Sequence, residues 1–248
     1  MFALGFSRPY PRGDAMSFGG KHVVVTGGTG ALGSAVVARL LDEGAACHVP
    51  VFEEAELERA PFAGHANFHA TSDMDLTDER RVEAFFGELP ALWASLHIAG
   101  GFAMTPIAKL TKAGILAQLD MNAVTAFLCC REAVRSIRRT GEGGRIVNVA
   151  ARPALEPRTG AGMTAYTASK AAVAALTQAL AEEVAAEGIW VNAVVPSILD
   201  TPANREAMPK ADHDRWPGVD EVAETILFLA SPANRTTRGA LVAVYGRS

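Results

Sequence analysis

Short apolar segments alternate with longer helical patterns along almost the whole chain, and this alternation restricts the fold more than any other feature. Strands separated by helices pair in parallel, because a parallel neighbour requires a crossover connection and a helix provides it. The sequence therefore predicts an α/β fold with one doubly wound parallel sheet and helices on both faces. The predicted strands are 22–26, 46–52, 67–70, 95–98, 145–149, 190–195 and 240–244. One predicted helix follows the first strand and ends at residue 43, and the other predicted helices span 78–88, 115–139, 164–187 and 219–230.

The composition fits one domain of ordinary size. The chain has 248 residues, 49% of them hydrophobic, and no Pro/Ser-rich linker divides it. Residues 18–248 are therefore predicted to form a single domain. Residues 1–17 are predicted to be a loose N-terminal extension, since Arg8, Pro9 and Pro11 interrupt its apolar start. Such a segment fits neither a secretory signal nor a membrane span, and we expect no membrane partner.

Charge and cysteine content indicate the class of partner and the compartment. A formal net charge of −4 gives no basic field for phosphate backbones, which disfavours a nucleic-acid partner. The only cysteines are Cys47, Cys129 and Cys130, an odd number that includes an adjacent pair unsuited to closing a disulfide on itself. They are interpreted as reduced, buried thiols, and the protein is predicted to be cytoplasmic.

The first predicted strand is followed by a glycine-rich turn that opens a helix. Residues 26–33 read Thr-Gly-Gly-Thr-Gly-Ala-Leu-Gly and contain Gly28-x-Gly30-x-x-Gly33. Glycines allow the backbone to approach a pyrophosphate, while the amino end of the helix offers unpaired N–H groups and a partial positive charge. A plain tight turn is the alternative, but the strand and helix on either side favour a dinucleotide site.

The end of the second predicted strand indicates which dinucleotide is preferred. In such sites an acidic residue about 20 positions beyond the turn binds the adenosine ribose hydroxyls. Residues 50–54 read Pro-Val-Phe-Glu-Glu, so Glu53 or Glu54 would supply that carboxylate. No Arg or Lys occurs there to receive a 2′-phosphate, and NADH is therefore predicted over NADPH.

Tyr166 and Lys170 are four residues apart in a predicted helix that otherwise contains mainly small side chains. This spacing places them on one helix face. An ammonium next to a phenol lowers the phenol pKa from its ordinary value of about 10, because the cation stabilises phenolate. The pair is thus suited to passing a proton during hydride transfer. The alternative, a surface helix with an aromatic residue and a solvated lysine, is disfavoured by the glycine turn.

Several motifs, taken together and in this order, resemble those of the short-chain dehydrogenase/reductase family. They are residues 26–33, Asp-Leu-Thr-Asp at 75–78, Ala-Gly-Gly at 99–101, Asn122, Tyr166-x-x-x-Lys170 and Pro-Ser-Ile-Leu-Asp-Thr-Pro at 196–202. The resemblance extends over residues 21–246. It implies a Rossmann-type domain, an NAD(P)-dependent oxidoreductase with a small-molecule substrate, and a homodimer or homotetramer.

The resemblance also implies residue roles. Tyr166 would be the proton donor, Lys170 would hold the nicotinamide ribose and lower the tyrosine pKa, and Asn122 would anchor a water that leads protons to Lys170. Asp75 and Leu76 would flank the adenine. The implied cofactor-binding residues are Gly27, Thr29, Gly30, Ala31, Leu32, Glu53, Asp75, Leu76, Ala99, Gly100, Gly101, Tyr166, Lys170, Pro196, Ser197, Ile198 and Thr201.

One departure from the family pattern concerns the substrate. Most members carry a serine after the fifth strand, whose hydroxyl polarises the substrate carbonyl, whereas this chain has Ala151. Together with Gly162-Met163 and the stretch 199–216, this alanine is a feature that makes the chain resemble the dihydropteridine reductase branch of the family. A quinonoid dihydropterin gains conjugation on reduction and needs less electrophilic help than a ketone. We therefore expect reduction of a quinonoid dihydropterin or a similarly activated ring, with Met208 or Trp216 covering the site.

Two other functions remain open. The chain could be a carbonyl or alcohol dehydrogenase in which Thr159 or Thr164 replaces the lost hydroxyl. It could also be a nucleotide-binding sensor without catalysis, although retention of both Tyr166 and Lys170 disfavours this.

No metal site is predicted from the histidines and carboxylates. His65 and His69 have the spacing of ligands on a helix, but Pro61 and Gly64 disfavour a helix there. Residues 212–214, Asp-His-Asp, lie between prolines and are interpreted as a solvated turn.

Overall fold

Seven parallel strands form one sheet in the computed structural model, which describes residues 17–248. Their order across the sheet reverses between the first and fourth strands, which leaves a crevice at their carboxyl ends. The strands are β1 (His22–Thr26), β2 (Ala46–Pro50), β3 (Phe68–Thr71), β4 (Ala94–His97), β5 (Gly144–Val149), β6 (Ile189–Pro196) and β7 (Leu241–Val244), in the order β3-β2-β1-β4-β5-β6-β7.

The described residues also form eight α-helices, and the predicted doubly wound α/β fold is confirmed. Apart from Ser17, the predicted N-terminal extension lies outside the described residues. The helices are α1 (Ala31–Asp42), α2 (Glu79–Glu88), α3 (Lys112–Leu119), α4 (Thr125–Arg138), α5 (Arg152–Leu155), α6 (Thr164–Glu183), α7 (Pro202–Ala207) and α8 (Val219–Ala230).

The two faces of the sheet bury different sets of side chains. Val23 and Val25 of β1 pack in the core shared with α1 and α8, whereas Val24 between them faces the core shared with α2 and α4. This division follows from the pleat, because successive strand residues point to opposite faces. Because all the strand pairs are parallel, the carboxyl ends of the strands lie at one edge of the sheet.

The predicted helix over 115–139 is interrupted. Between α3 and α4 the chain forms a π-helical turn, Asp120–Val124. Apolar periodicity does not distinguish such a turn from a continuous α-helix, and π-turns occur frequently at functional sites. By length and composition, the whole helical segment Lys112–Arg138 could cross a membrane, a property that core helices share. Here Cys129 and Ala133 are buried in the core with α2.

The first turn of α1 depends on a close backbone approach at Gly33. A Cβ at this position would lie 1.9 Å from the Gly27 carbonyl oxygen, which is far inside van der Waals contact. Only glycine therefore allows α1 to start directly above the turn that follows β1.

We expect Gly33→Ala to destabilise the protein, because the added Cβ would push α1 away from the turn. Overpacking of this kind costs roughly 1–3 kcal/mol, which should appear as a lower midpoint in urea unfolding. Gly87→Ala is the matched control, since Gly87 is exposed in α2 with nothing within 4 Å of an added Cβ. Helix propensity should make that variant more stable by up to about 1 kcal/mol. A Gly33→Ala midpoint equal to wild type would contradict the argument.

Candidate active site

The turn between β1 and α1 forms one wall of the crevice where the strand order reverses. Gly27 has a left-handed backbone with φ of 67°, and its carbonyl accepts a hydrogen bond from the Gly30 N–H at 3.1 Å. Among residues 17–248, no side chain caps α1, and its first turn carries no acidic residue. The amino end of α1 is therefore available to an anionic group such as a pyrophosphate.

A cleft of about 820 Å³ lies at this crevice, a size typical of small-molecule sites. Nine predicted cofactor-binding residues line it: Gly27, Thr29, Gly30, Ala31, Leu32, Asp75, Leu76, Ala99 and Gly100. Eight predicted residues are not in its lining: Glu53, Gly101, Tyr166, Lys170, Pro196, Ser197, Ile198 and Thr201. The lining does include Phe52, Glu56 and Leu199, which the sequence did not single out.

Glu56, rather than Glu53, is the carboxylate that the structure brings to this cleft. Glu56 lies in a 3₁₀ turn, Glu54–Arg59, and accepts a hydrogen bond from the Thr29 hydroxyl. Glu53 is exposed. The predicted strand extends to residue 52, whereas β2 ends at Pro50 and the following turn carries Glu56 back towards Thr29.

Asp75 lines the same cleft beyond β3. Its Oδ1 accepts hydrogen bonds from the Thr77 hydroxyl at 2.7 Å and from the Thr77 N–H at 2.9 Å. These bonds hold the pKa of Asp75 below its ordinary value. Asp75 is thus an oriented carboxylate at neutral pH, beside the apolar Leu76.

Tyr166 and Lys170 share one face of α6, where Lys170 is buried and Tyr166 is half-buried. Lys170 is only 6% exposed, its Nζ donates to the Val149 carbonyl at 2.9 Å, and burial lowers its pKa to about 8. Burial raises the pKa of Tyr166 to about 12. Burial alone accounts for this rise, because desolvation penalises the phenolate, and the lowering of the phenol pKa by Lys170 stays a prediction.

Asn122 lies at the centre of the π-helical turn and connects α4 to the end of β4. Its Oδ1 accepts a hydrogen bond from the Gly101 N–H at 3.1 Å, and its Nδ2 donates to the Gly101 carbonyl at 3.0 Å. A Cβ on Gly100 would lie 2.6 Å from Asn122 Oδ1 and 3.2 Å from Lys170 Nζ. The two side chains therefore approach the same point on the cleft wall.

The loop after β6 makes mostly local contacts. The Ser197 hydroxyl donates to the Tyr245 carbonyl at 3.0 Å, and Thr201 Oγ1 caps α7 by accepting from the Asn204 N–H at 3.2 Å. Trp216, which was expected to cover the site, is 9% exposed and packs its ring against His213. Its indole is thus engaged within its own loop.

The region around the missing serine offers little hydrogen-bonding capacity. Ala151 is buried immediately before α5. Thr159 donates its hydroxyl to the Glu156 carbonyl at 2.8 Å, and Thr164 is exposed as the first residue of α6. The hydroxyl proton of Thr159 is engaged within its own turn, which disfavours it as a replacement for serine.

A buried polar network that the sequence analysis missed supports the ends of β4 and β5. His97 Nδ1 lies 2.7 Å from Asn148 Oδ1, and His97 Nε2 lies 2.8 Å from Ser95 Oγ. Asn148 Nδ2 donates to the Thr177 hydroxyl of α6 at 2.9 Å. Burial lowers the pKa of His97 to about 4, so the ring is neutral at neutral pH. Polar residues ending otherwise apolar strands were the available signal.

The histidines weighed as metal ligands do not form a site. His69 lies in β3 with its ring stacked on His48, at 5.1 Å between ring centroids, whereas His65 precedes the strand. Residues 17–248 contain no group of three His, Cys, Asp or Glu side chains placed to hold a metal ion.

Comparison with known families agrees with this geometry. The family described as short chain dehydrogenase matches residues 21–212. The chain belongs to the short chain dehydrogenase family. It is accordingly an oxidoreductase, and the resemblance that the motifs indicated is confirmed at the level of the family.

Curated relatives of this dehydrogenase include enzymes named for hydroxyl substrates. Galactitol 2-dehydrogenase of Rhizobium johnstonii is 36% identical, covering 91% of this chain and 93% of the relative. Cis-4-hydroxycyclohexanecarboxylate dehydrogenase of Sinomonas cyclohexanicum is 35% identical, covering 93% and 97%. A solved structure of a short chain dehydrogenase/reductase family protein superposes with a TM-score of 0.85 at 26% identity, covering 93% and 97%.

Replacing Lys170 with Met is expected to stabilise the dehydrogenase near pH 7. Lys170 has a folded pKa of about 8 against an ordinary 10.5, so between these values the folded state binds fewer protons than the unfolded state. Stability from this group therefore rises with pH from 8 to 10.5, and below pH 8 the buried charge costs about 3 kcal/mol.

The gain of Lys170→Met in unfolding free energy should thus be largest near pH 7 and shrink as pH rises towards 10.5. Urea unfolding at several pH values measures it. Lys112→Met, at an exposed lysine in α3, is the control and should show no such trend. A Lys170→Met variant that is less stable than wild type near pH 7 would contradict the claim that the buried ammonium is destabilising.

Proposed function

We propose that this protein interconverts a secondary alcohol and a ketone with a nicotinamide dinucleotide. The observation that carries the proposal is the approach of Lys170 Nζ and Asn122 Oδ1 to one point beside Gly100, on the cleft wall, with Tyr166 one helical turn from Lys170. The relatives named for galactitol and for a hydroxycyclohexanecarboxylate support an alcohol substrate. They favour this alternative over reduction of a quinonoid dihydropterin.

The residues of the cleft fit a nicotinamide dinucleotide. The amino end of α1 is uncapped by any described side chain, and a Cβ on Gly33 would fill the cradle between the turn and the helix. The turn residues Gly27–Leu32 would hold the pyrophosphate, Asp75 and Leu76 the adenine, and Lys170 the nicotinamide ribose. We propose NADH over NADPH, because the Glu56 carboxylate in the cleft would repel a 2′-phosphate.

Proton transfer is assigned to the side chains of α6. The bound dinucleotide supplies the hydride acceptor in oxidation and the hydride donor in reduction. In oxidation, Tyr166 phenolate accepts the hydroxyl proton of the alcohol while hydride leaves the carbinol carbon. In reduction, the Tyr166 phenol returns a proton to the carbonyl oxygen. Lys170, fixed by the Val149 carbonyl, stabilises the phenolate, and Asn122 would orient a water towards the Lys170 amine.

We also propose that the protein is a cytoplasmic homodimer or homotetramer. Phe127 of α4 is 52% exposed and Phe228 of α8 is 44% exposed. A second copy that packs on either helix would remove its phenylalanine from water, which is favourable. Light scattering on the purified protein distinguishes these states from a monomer.

Tyr166→Phe is expected to lower NAD-dependent oxidation of secondary alcohols by roughly 10²- to 10⁴-fold, with little change in dinucleotide affinity. The reason is that phenylalanine keeps the ring but removes the proton acceptor. Because burial raises the Tyr166 pKa to about 12, the phenol form dominates, and wild-type oxidation should increase with pH through the neutral and alkaline range.

The assay follows NADH absorbance with galactitol and cyclohexanols, and with NADH plus a quinonoid dihydropterin in the reverse direction. Tyr245→Phe is the matched control and should keep wild-type turnover. Turnover of the dihydropterin with none of any alcohol would exclude the proposed substrate class.

Glu56→Gln is expected to reduce the preference for NAD⁺ over NADP⁺ by about tenfold, since it removes the charge that opposes a 2′-phosphate. The ratio of kcat/KM for the two dinucleotides measures this. Glu58→Gln, at an exposed position of the same turn, is the control and should leave the ratio unchanged. If Glu53→Gln changes the ratio and Glu56→Gln does not, the assignment of Glu56 is wrong and the sequence prediction of Glu53 is right.

A further inference from the structure

A second, smaller cavity of about 270 Å³ opens beside the dinucleotide cleft. Its walls are mostly apolar and include Ala103 of the loop after β4, Leu110, and Met163 and Ala165 near the start of α6. The volume suits a ring or a short carbon chain rather than a dinucleotide. It is bounded by the same part of the chain that carries the proton-transfer residues.

This cavity adjoins both the cleft and Tyr166. Ala117 and Met121 line the cavity and the dinucleotide cleft alike. Ala165 immediately precedes Tyr166. Ala103, which also lines the cavity, follows Phe102, whose ring meets the Tyr166 ring edge-on at 5.0 Å between centroids. A substrate whose reacting carbon lies at Tyr166 could therefore extend its skeleton into the cavity.

Gln118 lines the cavity, and the oxygen of its side-chain amide lacks a hydrogen-bond partner among the described residues. It is 5% exposed, and its Oε1 is buried without a hydrogen-bond partner among the residues that the structure describes. A buried amide oxygen left unpaired is destabilising by about 1–3 kcal/mol, and such groups are rare in folded proteins. Its backbone carbonyl is used separately, accepting from Asn122 Nδ2 at 3.2 Å.

We propose that Gln118 recognises a second hydroxyl of the substrate, whose carbon skeleton occupies this apolar cavity. The inference rests on the proposed alcohol dehydrogenase function and narrows it to polyols and ring diols. The amide of Gln118 can bind a hydroxyl as donor or as acceptor, because turning it about its last torsion exchanges Oε1 and Nε2. A substrate carboxylate in this cavity would be desolvated without a cation, because the lining contains no Lys or Arg.

The test compares cyclohexanol with 1,2-cyclohexanediol as substrates for wild type and Gln118→Met. Methionine keeps the length and the helix propensity of glutamine but removes the amide. Wild type should prefer the diol in kcat/KM, and Gln118→Met should reduce that preference by about tenfold while leaving cyclohexanol within twofold. Equal losses for both alcohols would indicate a structural role and overturn the inference, and so would an unchanged preference.

A second variant changes Ala103, an exposed loop residue of the cavity wall, where a substitution is less disruptive to folding than in the buried core. Ala103→Leu should raise the KM for the diol about tenfold by filling the space, whereas Ala108→Leu, outside the lining, is the matched control. Unchanged diol kinetics in Ala103→Leu would show that the skeleton binds elsewhere.

Saturation-transfer NMR separates this inference from the proposed function. If wild type oxidises neither alcohol, the proposed function fails, and diol binding then decides the inference by itself. Diol binding that is lost in Gln118→Met would support recognition by the amide. Binding that persists in Gln118→Met, or no binding to wild type, would overturn it.

Discussion

A buried ammonium held by a main-chain carbonyl is the interaction on which the site depends. Lys170 Nζ donates to the Val149 carbonyl at the end of β5 and forms no salt bridge with the residues that the structure describes. The helix that carries it must therefore dock firmly against the strand end, or the amine would return to water. Val173 of α6 packs there against Ala150 and Val195, and small side chains such as Ala165 and Ala174 are buried along the helix. An unpaired buried charge lowers stability, and its retention is typical of functional residues.

Hydrogen bonds from β4 and β5, in addition to apolar contacts, hold α6 against the sheet. Because Asn148 Nδ2 donates to Thr177, its Oδ1 must accept the proton of His97 Nδ1, and His97 Nε2 then accepts from Ser95. The neutral ring completes one chain of hydrogen bonds across β4, β5 and α6. Ser169, one residue before Lys170, adds a contact to Asn122 Nδ2 at 3.1 Å. The strand ends and the face of α6 that carries Tyr166 and Lys170 are therefore positioned as one unit.

The sequence predicts the parts of this molecule that depend on local periodicity. The strand His22–Thr26 and the helix Val219–Ala230 begin and end where predicted, because their apolar patterns match the sheet pleat and the helical period directly. The contribution of Glu56 could not be predicted, since it depends on how the chain turns after Pro50 to reach Thr29. The raised pKa of Tyr166 likewise follows from burial by distant segments. Gln118 appears in the sequence as an ordinary helix residue, and only packing reveals that its amide is enclosed.

Ala151 in place of the serine is expected to lower the rate of the reaction without changing its class. A neutral hydrogen bond from a hydroxyl to a carbonyl has a net free energy of about 0.5–1.5 kcal/mol. A hydroxyl that stabilises an oxyanion in the transition state can raise kcat by up to roughly 10³-fold. The proposed acid–base transfer by Tyr166 would contribute 10²- to 10⁴-fold and does not require the serine hydroxyl. Loss of the serine therefore leaves enough catalysis for an ordinary alcohol, so an activated ring substrate does not follow from Ala151. A substrate bound through a second hydroxyl would offset part of the loss, because its binding energy can orient the reacting carbon at Tyr166.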